Sequence, residues 1–130
     1  MSVPLSEQAQ ELLDAKTFAT VATVGPDGDP QSSLVWVRRD GDDILFSTLQ
    51  SRQKYLNLVR DPRVSLLLSS VDQPYTYVEV RGVAEMTTEG GRELIDELSN
   101  KYLGKGYRIE PPEAVRVVVR VHPRKLTGWP

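Results

Sequence analysis

Six short runs of β-branched and aromatic residues, separated by tight-turn signals, constrain this chain more than any other feature of its sequence. The clearest is Ala114 to Val121, where Val115, Val117, Val119 and Val121 alternate with Arg116, Val118 and Arg120. That two-residue period puts one set of side chains on each face of a strand. Thr17 to Val24, Gln31 to Arg38, Ile44 to Phe46, Val64 to Ser70 and Tyr75 to Glu85 share the strand composition. Gly25-Pro26-Asp27-Gly28, Asp40-Gly41 and Asp72-Gln73-Pro74 punctuate them with turn residues. The first three runs, joined by two short turns, read as an antiparallel meander. Three short helices are predicted between the runs. Ser6 caps the first, with Leu5, Ala9, Leu12 and Leu13 forming its apolar stripe. The second runs from a Ser51 cap to about Arg60 and ends at Asp61-Pro62, because the residue before proline avoids the helical region. The third runs from about Glu89 to Tyr102, with Leu94, Ile95, Leu98 and Tyr102 on one face and Gly104 as its stop. About six strands with tight turns favour a mainly β fold, a closed or partly closed antiparallel barrel, over a parallel sheet.

The length of 130 residues suits one domain spanning 1–130, and no linker or repeat divides it. A formal net charge of −2 offers no global basic field for nucleic acid or an anionic membrane, so an anion site must come from a local cluster. The absence of cysteine excludes disulfides, thiolate catalysis and cysteine-ligated metals. No stretch approaches the ~20 apolar residues of a membrane span, and the N-terminus lacks a basic region followed by an apolar run. A cytoplasmic location is the expectation.

Ser47-Thr48-Leu49-Gln50-Ser51-Arg52-Gln53-Lys54 leaves a strand and enters a helix. Arg52 and Lys54 fall in the first helical turn, where the helix dipole opposes each cation by ~0.3–1 kcal/mol. A bound anion reverses that sign. Backbone N–H groups, the hydroxyls of Ser47, Thr48 and Ser51, and two cations together suit a phosphate. The bland alternative is a solvated helix end with long basic side chains. Asp61-Pro62-Arg63 reads as a structural corner with Asp61 paired to an arginine, and Asn57 as a backbone partner near the helix end.

Three stretches resemble the pyridoxamine 5′-phosphate oxidase-like split β-barrel proteins. They are Phe18 to Val24 with Asp27-Gly28-Asp29-Pro30-Gln31, the run Arg52-Gln53-Lys54-Tyr55-Leu56-Asn57-Leu58-Val59-Arg60-Asp61-Pro62-Arg63-Val64-Ser65, and Tyr75 to Ala84. The chain looks most like the branch whose members use the deazaflavin coenzyme F420. The resemblance implies a split β-barrel of the FMN/F420-binding type and a homodimer with cofactors in grooves at the subunit interface. It also implies a reductase that passes a hydride between F420 and a small unsaturated organic substrate. By the same resemblance Ser47, Thr48, Ser51, Arg52 and Lys54 hold the cofactor phosphate. Ser32, Ser33, Leu34, Val35 and Trp36 lie along the ring system, and Tyr75, Tyr77 and Trp129 close the site from the partner subunit. FMN is the alternative cofactor, and a non-catalytic F420 or flavin carrier the alternative role. The chain is shorter than the true oxidases and lacks their C-terminal substrate-binding extension, which argues against pyridoxamine phosphate as substrate.

No catalytic residue is assigned, since the cofactor carries such chemistry. Trp36 either flanks a ring or fills the barrel. His122, the lone histidine, reads as structural or exposed. Arg116 and Arg120 share a strand face, for an anionic tail or, by the plainer reading, for solvent. Glu110 with Glu113 and Asp42 with Asp43 lie in loops without metal or glycosidase spacing.

Overall fold

A computed structural model describes residues 2–129, with the backbone alone described at Trp129. Its elements are α1 (Glu7–Asp14), β1 (Ala19–Val24), β2 (Pro30–Val35), β3 (Arg38–Asp40), β4 (Asp43–Leu49), α2 (Gln53–Arg60), β5 (Arg63–Ser69), β6 (Tyr77–Thr87), α3 (Gly91–Leu103) and β7 (Arg116–Trp129). The described strands number seven rather than six, because the predicted strand Gln31–Arg38 breaks at Trp36 and Val37. Arg38 beyond the break pairs with Leu45 as part of β3.

The strands form one antiparallel sheet in the order β2-β1-β5-β6-β7-β4-β3. The meander expected of the first three runs is therefore not formed. β2 pairs with β1, and β3 with β4, at opposite ends of the order. Yet only Trp36 and Val37 separate β2 from β3 in the chain. Three Cα steps reach at most ~11 Å, so the two edges of the sheet must meet. The sheet closes into a barrel that is split where β2 and β3 lie unpaired.

The split is held by α3. The Val37 N–H donates to the Tyr102 hydroxyl at 3.1 Å, and the Val37 carbonyl accepts from Lys101 Nζ at 2.7 Å. The Tyr102 hydroxyl in turn donates to the Thr17 carbonyl at 2.5 Å. Backbone groups that leave a ladder inside a protein need such partners.

Strand alternation sorts the side chains. Val117, Val119 and Val121 point into the barrel with Ile44, Phe46, Leu66, Leu68 and Val80. α1 buries Ala9, Leu12 and Leu13 against this core, and α2 contributes Leu58. On the outer face of β4 and β7, α3 covers Leu45 with Leu94, Leu98 and Tyr102, and Trp36 and Val118 pack against that cluster. α3 begins after Gly90 and ends at Gly104, both with φ of 77°, a left-handed conformation that glycine adopts without strain. β7 runs on to Trp129, beyond the predicted end at Val121. It does so through an irregularity opposite Gly82, where a Cβ would stand 2.4 Å from the His122 carbonyl oxygen. No helix among the described residues is long and apolar enough to cross a membrane.

Candidate functional site

β4 delivers successive side chains to opposite faces, so Thr48 turns inward and Ser47 outward at the strand's end. The chain then turns through Gln50 and Ser51 into α2, whose N-cap is Arg52 rather than the expected Ser51. Arg52 makes no side-chain cap bond, so α2 starts with its first N–H groups uncapped. The cause is local. The Arg52 N–H bonds back to the Leu49 carbonyl at 2.9 Å, which places Ser51 in the preceding turn, exposed.

This junction opens on a cavity of about 280 Å³. Ser47, Thr48, Leu49, Arg52, Lys54 and Arg116 line one part of it; Phe18, Leu34, Val35, Trp36, Ile95, Leu98 and Tyr107 complete the wall. Lys54 is 8% exposed and makes no hydrogen bond or ion pair among the described residues. Burial pushes its amine below the ordinary lysine value, and the Arg52 charge pushes the same way. Thr48 Oγ1 is also buried with no hydrogen-bond partner among the described residues. Unsatisfied buried groups of this kind are uncommon and call for an explanation. Here an orphaned hydroxyl and an unpaired buried cation line one cavity.

The rest of the wall is apolar and aromatic. The Trp36 ring stacks on Tyr102 at 5.4 Å and 11°, and meets Tyr107 edge-on at 6.4 Å and 86°. Tyr107 comes from the loop between α3 and β7. Its N–H donates to Asp96 at 2.8 Å, and its carbonyl accepts from Arg92 at 2.7 Å. Arg92 and Asp96 are themselves ion-paired at 3.0 Å on α3. A helix-borne ion pair thus fixes an otherwise irregular loop.

Of the residues singled out from sequence, Ser47, Thr48, Arg52, Lys54, Leu34, Val35 and Trp36 come together around this cavity. Ser33 lies off the lining; its Oγ is buried with no hydrogen-bond partner among the described residues. Ser51, Tyr75 and Tyr77 are exposed and away from the lining, with Tyr77 opposite Ser69 and Trp129 in the sheet. The Trp129 side chain lies outside the described part of the structure. Trp36 does not fill the barrel: it packs under α3 on the outer face and lines the cavity.

Other expectations change. Arg116 does not point to solvent: its side chain is 10% exposed and paired to Glu110. Arg120 pairs with Asp40 and Asp43 at 2.9 and 3.0 Å. Asn57 bonds side chains rather than backbone with its amide, donating to Thr23 Oγ1 at 3.0 Å and accepting from Gln53 at 2.7 Å. Asp61 pairs with an arginine as expected, Arg63 at 2.6 Å, which holds its carboxyl at about 2. His122 bridges Asp43 and Glu85, a surface structural role. The lining residues that sequence reasoning missed are Phe18, Leu49, Ile95, Leu98 and Tyr107; Arg116, weighed there for an anionic tail, joins them. Ile95 and Leu98 carry only a core signal in sequence. Tyr107 offers a faint one, as an aromatic isolated in a polar loop.

The family model described as pyridoxamine 5′-phosphate oxidase matches residues 5–130. A solved structure titled F420 reductase superposes with a TM-score of 0.83, at 33% identity, over 95% of this chain and 98% of that one. A conserved hypothetical protein from Mycobacterium tuberculosis gives a TM-score of 0.75, at 30% identity, over 96% of this chain and 84% of that one. Among curated proteins, the 5a,11a-dehydrotetracycline/5a,11a-dehydrooxytetracycline reductase of Streptomyces rimosus is 22% identical over 98% of this chain and 84% of its own length.

Proposed function

This chain belongs to the pyridoxamine 5′-phosphate oxidase family, and from that premise we propose that it is an F420-dependent reductase acting on a small unsaturated organic substrate. The observation that carries the cofactor class is the buried Lys54, the Thr48 hydroxyl and the Arg52 cation, none of which has a side-chain partner among the described residues. A phosphate supplies the missing counter-ion and hydrogen-bond partner together. The aromatic and aliphatic wall of Phe18, Leu34, Trp36 and Tyr107 suits a flat ring system. The residues present therefore fit a phosphate-bearing planar cofactor. Similarity to a protein titled F420 reductase supports the deazaflavin over FMN, and similarity to a dehydrotetracycline reductase supports an unsaturated acceptor.

When bound, the reduced cofactor supplies the hydride. The chain's own contribution is placement. Lys54, Arg52, Ser47 and Thr48 fix the phosphate. Leu34, Val35 and Trp36 set the plane of the ring, and Ile95 and Leu98 behind them exclude water. Tyr107 adds its aromatic ring to the same wall.

A second copy of the chain completes this site in the proposal. Leu34 and Leu67 lie in one row across β2, β1 and β5, on the outer face of the sheet, and are 66% and 41% exposed. Phe18 and Tyr77 are exposed at the neighbouring row. An apolar face beside an open cavity suits an isologous dimer.

Titration of F420 fluorescence tests the reading. Micromolar binding that Lys54→Ala weakens strongly is the expected result, and unchanged binding in that variant refutes the phosphate assignment. Protein that is yellow as purified and releases FMN on boiling would favour FMN, because both cofactors present a phosphate to the same residues. Binding without turnover on any enone or quinone acceptor would leave a carrier role.

A further inference from the structure

The cavity holds a further cation whose counter-ion the chain itself supplies. Alternation along β7 puts Arg116 on the barrel's outer face, where solvation is the ordinary outcome. Instead its side chain is 10% exposed. Its Nε lies 3.0 Å from both Glu110 carboxylate oxygens, Nη2 lies 3.0 Å from Oε2, and Nη1 donates to Ser47 Oγ at 3.3 Å. Glu110 is 11% exposed, and its Oε1 is also 3.4 Å from Arg92 Nη1. Lys54 and Arg52 in the same cavity have no carboxylate partner among the described residues.

A carboxylate set against a guanidinium through both oxygens presents much the same charge and spacing as two oxygens of a phosphate. Ser47, which shares the guanidinium, is itself a lining residue. We propose that Arg116 is a third anion-binding cation of this site, and that Glu110 competes with the ligand's phosphate for it. The inference rests on the proposed function only in taking the ligand to carry a phosphate. Glu110 sits in the loop that carries Tyr107, and it keeps Arg92 as a partner when Arg116 turns to the ligand. The loop thus retains one anchor while the cation is handed over, so the exchange leaves no carboxylate buried alone.

Four variants of the full chain test this: Arg116→Ala, Glu110→Gln, the double variant, and Lys54→Ala. Binding is measured for F420 and FMN, each beside the same chromophore without its phosphate. Arg116→Ala should weaken the phosphorylated ligands about tenfold or more, the worth of one charge-assisted hydrogen bond. Glu110→Gln, which removes the competitor, should tighten them roughly fivefold and leave the dephosphorylated chromophores unchanged. In the Arg116→Ala background Glu110→Gln should change nothing. Tightening that persists there would mean Glu110 acts through the general field, and would overturn the proposal. So would weaker or unchanged phosphate-ligand binding in Glu110→Gln, where Lys54→Ala still lowers affinity. Glu110→Gln is isosteric and carries the test should Arg116→Ala fail to fold. Unchanged binding in Lys54→Ala instead removes the phosphate reading itself, and the inference with it.

Discussion

Replacing Lys54 with methionine should make the ligand-free protein more stable and its cofactor binding weaker. Methionine keeps the unbranched stem that packs at this 8% exposed position and removes the ammonium. Without ligand, the ammonium is buried with no partner among the described residues, and burial depresses its pKa. A group whose charged form is disfavoured by folding costs stability below its folded pKa, and that cost fades as pH rises toward the unfolded value of 10.5. The full cost is present wherever the folded chain keeps this amine protonated. Leaving such a group unsatisfied costs about 1–3 kcal/mol. For a chain of 130 residues, Lys54→Met should therefore raise the ligand-free Tm by roughly 3–10 °C. With cofactor bound the sign reverses, because a charge-assisted bond of about 1.5–3 kcal/mol is lost and affinity falls roughly 10- to 100-fold. Differential scanning calorimetry with and without F420, alongside fluorescence titration, measures both effects. The stabilisation should also shrink at alkaline pH, as the wild-type amine loses its proton. A variant less stable than wild type at neutral pH, or one that binds F420 unchanged, would refute the reasoning.

Tyr102→Phe removes the hydroxyl that serves the Val37 N–H and the Thr17 carbonyl at the barrel split, and should cost about 1–3 kcal/mol in urea unfolding. Since the same ring backs Trp36, it should also broaden the tryptophan emission. Gly91→Ala places a Cβ 2.6 Å from the Arg116 carbonyl oxygen, so the ordinary helix-favouring exchange should instead destabilise by about 1–3 kcal/mol in thermal melts. The His122 pKa is raised, first by its bond to Glu85 at 2.9 Å and also by Asp43 at 3.1 Å. Its stabilisation is present below the unfolded value of about 6.5 and lost as pH rises through the folded one. Wild type should lose under about 1 kcal/mol over that window, and His122→Gln should show no such loss in chemical denaturation at stepped pH.

Much of the fold and the polar end of the cavity lining is legible in the sequence. Alternation put Val115, Val117, Val119 and Val121 on one strand face; the last three are buried in the core, whereas Val115, before β7 begins, is 37% exposed. Ser47, Thr48, Arg52 and Lys54 were recognisable because the signals that matter, hydroxyls and cations at a strand-to-helix junction, are contiguous in the chain. The fold-family resemblance rested on equally local runs. The helix cap was misplaced by one residue, since Ser51 and Arg52 differ in backbone geometry that composition does not encode.

The remainder belongs to tertiary structure. Local periodicity says which face of a strand is apolar, but not which strand lies beside it. Nothing in the Gln31 to Arg38 run announces a break at Trp36 and Val37. The break exists because α3 offers Tyr102 and Lys101 to the backbone that leaves the ladder, 64 and 65 residues away in sequence. Arg116 looked solvated for the same reason. A polar side chain on an outward strand face meets water unless a distant element covers it, and here Glu110 and Tyr107 do so. Sequence alone determined the β-rich elements, the inward faces and the local cluster of hydroxyls and cations, because each depends on neighbours in the chain. Only the folded structure decided the strand order, the closure across the split and the apolar end of the cavity, because those depend on long-range packing that brings separate segments to one place.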